Sequence, residues 1–214
     1  MEKRLLLTRS RHDPTNSYLY AYCEGIMSYA QGLGWDVNKM DDEDNTAEQL
    51  HSRLSKITYN FVFFNGHGHA NCILGYKNKE ILVTSGGGLL NGAISYARSC
   101  DALNDLGKRA VEKGCLAFIG YKTKFLLPYA NEYISSPLRD PVAKPVLEVS
   151  NLIPKLILKG TKVKTAVKAA KAKSISLIFK MLGSIEPFDA ASFRALLHNH
   201  DALDFEGNPD ACVK

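Results

Sequence analysis

No apolar run in this chain approaches the roughly 18 residues that a membrane-spanning helix requires. The apolar stretch at its start, Leu5-Leu6-Leu7, is far too short for a secretory signal. No two cysteines have CxxC spacing, and the five present (Cys23, Cys72, Cys100, Cys115 and Cys212) are an odd number. A disulfide framework is therefore not expected, and the cysteines read as reduced thiols of which one is a candidate for reactivity. There is no internal repeat and no low-complexity linker. No Gly-Lys-Ser/Thr follows the glycine run Gly86-Gly87-Gly88, which excludes a phosphate loop and leaves a mobile loop beside the groove. These absences point to a cytoplasmic protein without membrane contact, built as one domain over residues 1–214.

The 214 residues are 45% hydrophobic and 23% charged, ordinary for a globular protein, with a net charge of +5. Residues 155–180 hold eight lysines and no acid, whereas 186–210 hold six acids and one arginine, Arg194. A basic stripe of this kind can attract an acidic partner or nucleic acid, but a solvated helix face is the preferred reading.

Hydrophobic periodicity predicts strands at 4–8, 35–39, 59–65, 93–98 and 115–121 and helices at 14–33, 45–56 and 101–113. Pro14 opens the first helix behind Asp13, and Asn45 is the expected cap of the second. Residues 72–76 and 79–83 read as a hairpin with Lys77-Asn78 at its tip. From 142 onward the pattern is helical, at 142–158, 161–182 and 189–199. The early β-α-β-α-β order implies parallel strands with right-handed crossovers. An α/β domain follows, with 1–121 forming the sheet core and 122–214 supplying groove loops and C-terminal helices.

The chemistry concentrates at two strand ends. Tyr59 to Asn65 runs into Gly66-His67-Gly68-His69, and Ala93 to Arg98 runs into Ser99-Cys100-Asp101. Neighbouring parallel strands would deliver both residues to the carboxyl edge of the sheet, where open α/β sheets bind ligands. A histidine beside a thiol supplies the parts for nucleophilic catalysis: it takes the thiol proton and later protonates a leaving amine. The expected helix after Cys100 would favour the thiolate, and the N–H groups of Gly68 and Cys100 could hold an oxyanion. Asn65 could orient His67, but a loop-capping asparagine is the preferred reading. His67-x-His69-x-x-Cys72 with Cys100 offers zinc-type ligands, but in no standard zinc spacing, and no metal or other cofactor is assigned.

An apolar strand closing on GHG, a second closing on SC, and then a helix leading to Lys113-Gly114-Cys115-Leu116-Ala117-Phe118-Ile119-Gly120-Tyr121 resemble the caspase-like clan (clan CD) of cysteine peptidases. The likeness is strongest to its gingipain-like and CHAT branches. The opening Thr8 to Thr15 and the ending Leu197-His198-Asn199-His200-Asp201-Ala202-Leu203 with Gly207-Asn208-Pro209 extend it over most of the chain. There are departures: the cysteine context is Arg98-Ser99-Cys100-Asp101-Ala102 rather than QACRG, and 33 residues separate His67 from Cys100 against about 50 in caspases.

The resemblance implies a three-layer caspase-haemoglobinase-like sandwich and an intracellular cysteine endopeptidase with a His67–Cys100 dyad, a protein or peptide substrate and a regulatory or sensor partner. It also implies that the side chain two before the cysteine, Arg98, lines the S1 pocket together with Arg9, Arg11 and Tyr121. An arginine fork there suits an acidic P1 residue; pairing of Arg98 with Asp101 or Asp13 is the structural alternative. The same resemblance places the loops of 72–83 and 121–136, with Lys122 and Lys124, along the cleft. A non-catalytic module that docks an acidic partner or nucleic acid through the lysine-rich segment is the competing function.

Overall fold

The computed structural model describes residues 2–184 and 189–213. A central sheet runs in the order β2 (Asp36–Asp41), β1 (Arg4–Arg9), β3 (Phe61–Asn65), β7 (Ile94–Arg98), β8 (Ala117–Tyr121), β9 (Leu203–Gly207). The first five strands are parallel and β9 is antiparallel to β8. A small antiparallel sheet of β4 (Gly68–His69), β5 (Cys72–Leu74) and β6 (Glu80–Val83) is appended after β3.

Strands covered on both sides need apolar residues at every position, and this explains the unbroken runs Leu5-Leu6-Leu7 and Phe61-Val62-Phe63-Phe64. Alternation along each strand sorts them into two cores. Leu5, Leu7, Phe61, Phe63, Ile94 and Tyr96 meet α1 (Pro14–Gly32), α4 (Lys144–Leu158) and α5 (Val163–Leu182). Leu6, Val62, Phe64 and Ala97 face α2 (Ala47–Lys56), the small sheet and α3 (Lys108–Glu112). The result is the three-layer caspase-haemoglobinase-like sandwich expected from the sequence. α6 (Ala190–Ala202) packs on α4 and α5 and leads directly into β9.

Several local expectations change. Thr46, not Asn45, caps α2, its hydroxyl accepting from the Gln49 N–H, while buried Asn45 donates to Ser10 Oγ. The expected helix at 101–113 is a π-helical turn, Leu103–Gly107, followed by the short α3. Asp101 sits at φ 58°, outside the helical region, so the helix cannot begin there. The amides of Asp105 and Leu106 instead donate to the Ala70 carbonyl at the β4–β5 turn. The glycine run lies within a 3-10 segment, Thr84–Leu90, packed on α3. A Cβ on Gly87 would sit 3.1 Å from the Ala110 backbone, so this segment is neither loose nor beside the groove. The strand β9 was not foreseen, because no breaker separates it from α6.

Candidate active site

The sheet order reverses between β1 and β3, since β2 lies on one side of β1 and every later strand on the other. Loops after strands on the two sides of such a switch leave a crevice at the carboxyl edge. Asp13 follows β1, His67 follows β3 and Cys100 follows β7. Asn65 is paired with Arg98 in the β3–β7 ladder, so His67 and Cys100 each stand two residues past a matched pair. The two side chains line one open groove with Gly68, His69, Leu74, Asn78, Asp101 and Lys124. The hairpin thus contributes Leu74 and Asn78 to the wall, and the segment after β8 contributes Lys124.

His67 is anchored from behind. Its Nε2 lies 3.0 Å from Asp13 Oδ2, which leaves Nδ1 as the ring nitrogen free to serve the groove. Asp13 is also the N-cap of α1, its Oδ1 accepting from the Asn16 N–H at 2.8 Å. Burial works against ionisation of Asp13, but the Asn16 backbone and side-chain donors and the His67 ring outweigh it and hold the carboxyl below its usual range. His12 Nε2 approaches the same carboxylate oxygen at 3.3 Å and Asn78 Oδ1 at 3.1 Å, tying the hairpin tip to this cluster. Sequence reasoning saw Asp13 as a helix cap and as an alternative partner for Arg98, not as the brace of His67; its position just past β1, beside the switch point, was the available signal for more.

Gly68 occupies a constrained position. The Leu74 N–H donates to the His67 carbonyl, which makes Gly68, opposite Ile73, a non-hydrogen-bonded pair. Its own N–H is therefore directed away from β5. A Cβ at this position would lie 3.0 Å from Cys72 O and from Cβ and Oγ of Ser99, so only glycine lets β4 come this close to the cysteine loop.

Cys100 is half-buried, and burial pushes its thiol above the ordinary value. The Phe125 backbone amide and Lys124 oppose that rise, and Asp101 adds to it. The helix start expected from the sequence to favour a thiolate does not stand beside the sulfur. With the helix beginning late, its dipole is not delivered to the sulfur.

None of the four residues expected to line S1 is among the groove-lining residues; three are buried and Arg11 is exposed and paired. Arg98 is fully buried on the α1–α4 side of the sheet. Its guanidinium donates to Asn65 Oδ1 (2.9 Å), Ser150 Oγ (3.0 Å), Asn151 Oδ1 (2.7 Å), the Leu19 carbonyl and Cys23 Sγ. It pairs with neither Asp101 nor Asp13, and Asn65 serves Arg98 rather than His67. Strand alternation is the reason: Arg98 shares a face with Ile94 and Tyr96, under the helices. Arg9 is enclosed by Asp41 and Glu24 and stacked on Tyr20. Arg11 is exposed but held by Asp42. Tyr121 is buried, its hydroxyl 3.1 Å from that of Tyr96. The zinc alternative His67, His69, Cys72 and Cys100 is not brought together as a ligand set: Cys72 is buried in the small sheet, and no group of three or more His, Cys, Asp or Glu placed to hold a metal ion occurs among the described residues.

The fold is similar to that of gingipain R. The crystal structure of the Arg-specific cysteine proteinase gingipain R superposes with a TM-score of 0.62 at 12% identity, covering 99% of this chain and 47% of the other. A complex of pro- and mature domains of RgpB from Porphyromonas gingivalis gives 0.62 at 10% identity, over 99% and 48%. A further structure described as a protease gives 0.57 at 16% identity, over 99% and 48%. The chain thus spans about half the length of the structures it matches. Among protein-family profiles and among curated protein sequences, nothing matches. At these identities the likeness speaks for the fold alone.

Proposed function

We propose that this chain is a cysteine endopeptidase of the caspase-like clan, in its gingipain-like and CHAT branches, with Cys100 as nucleophile and His67 as general base and acid. The observation that carries the reading is the shared groove of His67 and Cys100 at the ends of paired strands, with His67 braced by Asp13. The thiol starts protonated. As Sγ attacks the scissile carbonyl carbon, its proton passes to Nδ1 of His67, and the imidazolium so formed is stabilised by Asp13. The carbonyl oxygen becomes an oxyanion held by the N–H groups of Gly68 and Cys100. Collapse breaks the C–N bond, and His67 returns the proton to the leaving amine. Water, deprotonated by His67, then releases the acyl group and regenerates the thiol.

With Arg98, Arg9 and Tyr121 enclosed and the exposed Arg11 paired with Asp42, the acidic-P1 expectation loses its support. The charged groups on the groove, Asp101 and Lys124, become the candidates for side-chain selection. The five thiols, all free, support a reducing cytoplasmic setting. One domain over 1–214, with segment 122–214 supplying the groove wall and helices, is part of the same reading. A P1-varied peptide library, with wild type and Cys100→Ala compared, is the decisive experiment. Turnover by wild type alone is expected; equal turnover by Cys100→Ala removes the dyad.

The exposed lysines of α5, among them Lys168, Lys173 and Lys180, are what favours the competing non-catalytic module, docking an acidic partner. Stoichiometric labelling of Cys100 by a thiol-reactive peptide, faster than the other cysteines, supports the enzyme. Slow uniform labelling with salt-sensitive binding of an anionic polymer supports the module.

A further inference from the structure

The hairpin between β5 and β6 is joined to Asp13 and His67 by a histidine that the chemistry above does not use. Lys77 and Asn78, at its tip, both sit in the left-handed region, at φ 54° and 58°. Asparagine is among the few non-glycine residues that tolerate this conformation. The backbone of the tip is secured by its own bonds. Gly75 N–H donates to the Lys79 carbonyl at 2.8 Å, Tyr76 N–H to the Asn45 carbonyl at 3.1 Å, and Asn78 N–H to the Gly75 carbonyl at 3.2 Å. A Cβ on Gly75 would lie 2.2 Å from the Asn45 carbonyl oxygen, so the hairpin is packed tightly on that loop. None of these bonds sets the direction of the exposed Asn78 side chain, which lines the groove with His67 and Cys100.

His12 sets it. Its side chain is only 10% exposed, and its ring meets that of Tyr76 edge-on, with centroids 5.8 Å apart. Its Nε2 lies 3.1 Å from Asn78 Oδ1, 3.3 Å from Asp13 Oδ2 and 3.4 Å from Asn16 Nδ2. Two of these three neighbours are oxygens, and Asn16 Nδ2 already donates to Asp13 Oδ2 at 2.7 Å. Nε2 therefore carries the hydrogen and donates. An amide is oriented by its hydrogen bonds. With Oδ1 turned to His12, Nδ2 of Asn78, which has no partner among the described residues, is left for the groove. Asp13 does not depend on His12, because it keeps the Asn16 backbone and side-chain donors and the His67 ring.

We propose that Asn78 is a substrate-binding residue of the groove, donating from Nδ2 to a main-chain carbonyl oxygen of the bound peptide, and that His12 is its positioning residue. The carbonyl contact rests on the peptidase reading above; the hold of His12 on Asn78 does not. A neutral donor on an exposed wall suits a neutral acceptor, and a peptide main chain supplies one at every residue. The contact therefore adds affinity without selecting a side chain. Neither residue touches the reacting atoms, so the bond is equally strong in the ground state and the transition state. Its loss should appear in KM and not in kcat.

The test is steady-state kinetics on the best peptide of the P1-varied library, together with NMR of the ligand-free protein. Asn78→Gly keeps the left-handed backbone and removes the amide. It should raise KM about threefold to tenfold, the loss of one neutral hydrogen bond, with kcat within about twofold of wild type. His12→Ala should raise KM about twofold to fivefold at the same kcat. His12→Gln, whose amide nitrogen reaches the place of Nε2, should recover most of that loss; His12→Asn, which is too short, should not. Unchanged KM in Asn78→Gly overturns the proposal. So does a loss of kcat at constant KM in His12→Ala, since His12 would then serve Asp13 and His67. If His12→Ala does not fold, His12→Asn is read in its place. In the free protein the Asn78 side-chain amide signals, assigned by their loss in Asn78→Gly, should be dispersed in wild type and in His12→Gln. They should collapse to unstructured-chain positions in His12→Ala. Signals already collapsed in wild type, or unmoved in His12→Ala, overturn the hold. If wild type turns over no peptide, the peptidase reading falls and the carbonyl contact with it, and the amide signals alone decide whether His12 holds Asn78.

Discussion

Replacing Arg98 by methionine separates a structural strut from a specificity residue. Methionine fills most of the volume but removes all the donors of a fully buried guanidinium. Two amide oxygens are then orphaned, Asn65 Oδ1 and Asn151 Oδ1, which now accept at 2.9 and 2.7 Å. Ser150 Oγ keeps its bond to the Leu147 carbonyl and is not stranded. Each orphan costs about 1–3 kcal/mol, and the lost stacking over Phe63 adds about 1 kcal/mol. Relief from burying a cation without a carboxylate partner returns part of this, leaving a net destabilisation of about 2–4 kcal/mol. Against a total stability of about 5–15 kcal/mol that is a large fraction. Urea unfolding should show a midpoint lowered by about 1–2 M at unchanged slope. Arg11→Ala, at an exposed ion pair, should change stability by less than about 1 kcal/mol. An Arg98→Met protein as stable as wild type, or one of wild-type stability with altered P1 preference, would refute the argument and return Arg98 to the groove.

Three further outcomes follow from the same geometry. Asp13→Asn should keep the α1 cap and nearly all thermal stability, since asparagine caps as well as aspartate, yet lower kcat on a matched peptide by roughly 10²–10⁴ because His67 loses its anionic brace; unchanged kcat would release Asp13 from the mechanism. Gly68→Ala forces a Cβ to within 3.0 Å of Ser99 and Cys72, displacing the proposed oxyanion N–H, and should reduce kcat at least about tenfold with little change in KM. Burial pushes the Cys115 thiol up to about 11 against an ordinary 9.0, so the unfolded chain loses that proton first; the thiol's contribution is intact below about pH 9 and is lost as pH rises toward about 11. Over that window Cys115→Ala should flatten the fall in stability by at most about 2–3 kcal/mol, read from urea midpoints, and an identical slope in the two proteins would contradict it.

The sequence by itself determined the strand-end placement of His67 and Cys100. Apolar runs covered on two faces are legible as strands, and parallel order obliges their ends to share one edge, so GHG and SC had to meet. The same local logic located α1, the hairpin and the C-terminal helices. It even contained the fate of Arg98, since Ile94, Tyr96 and Arg98 alternate onto one face; a family habit suggested the groove, and the pleat of the strand decided otherwise. What only the tertiary structure decided were partnerships between residues far apart in the chain. Asp13 braces His67 across 54 residues, and Asn199 grips Leu126 across 73. The late start of the helix after Cys100 depends on Asp101 and on the Ala70 carbonyl, and β9 forms only because β8 offers a free edge. Periodicity reports which face of an element is buried. Which atom lies across from that face is set by the packing of other elements, and the burial of Cys100 and its neighbours on the groove were set there.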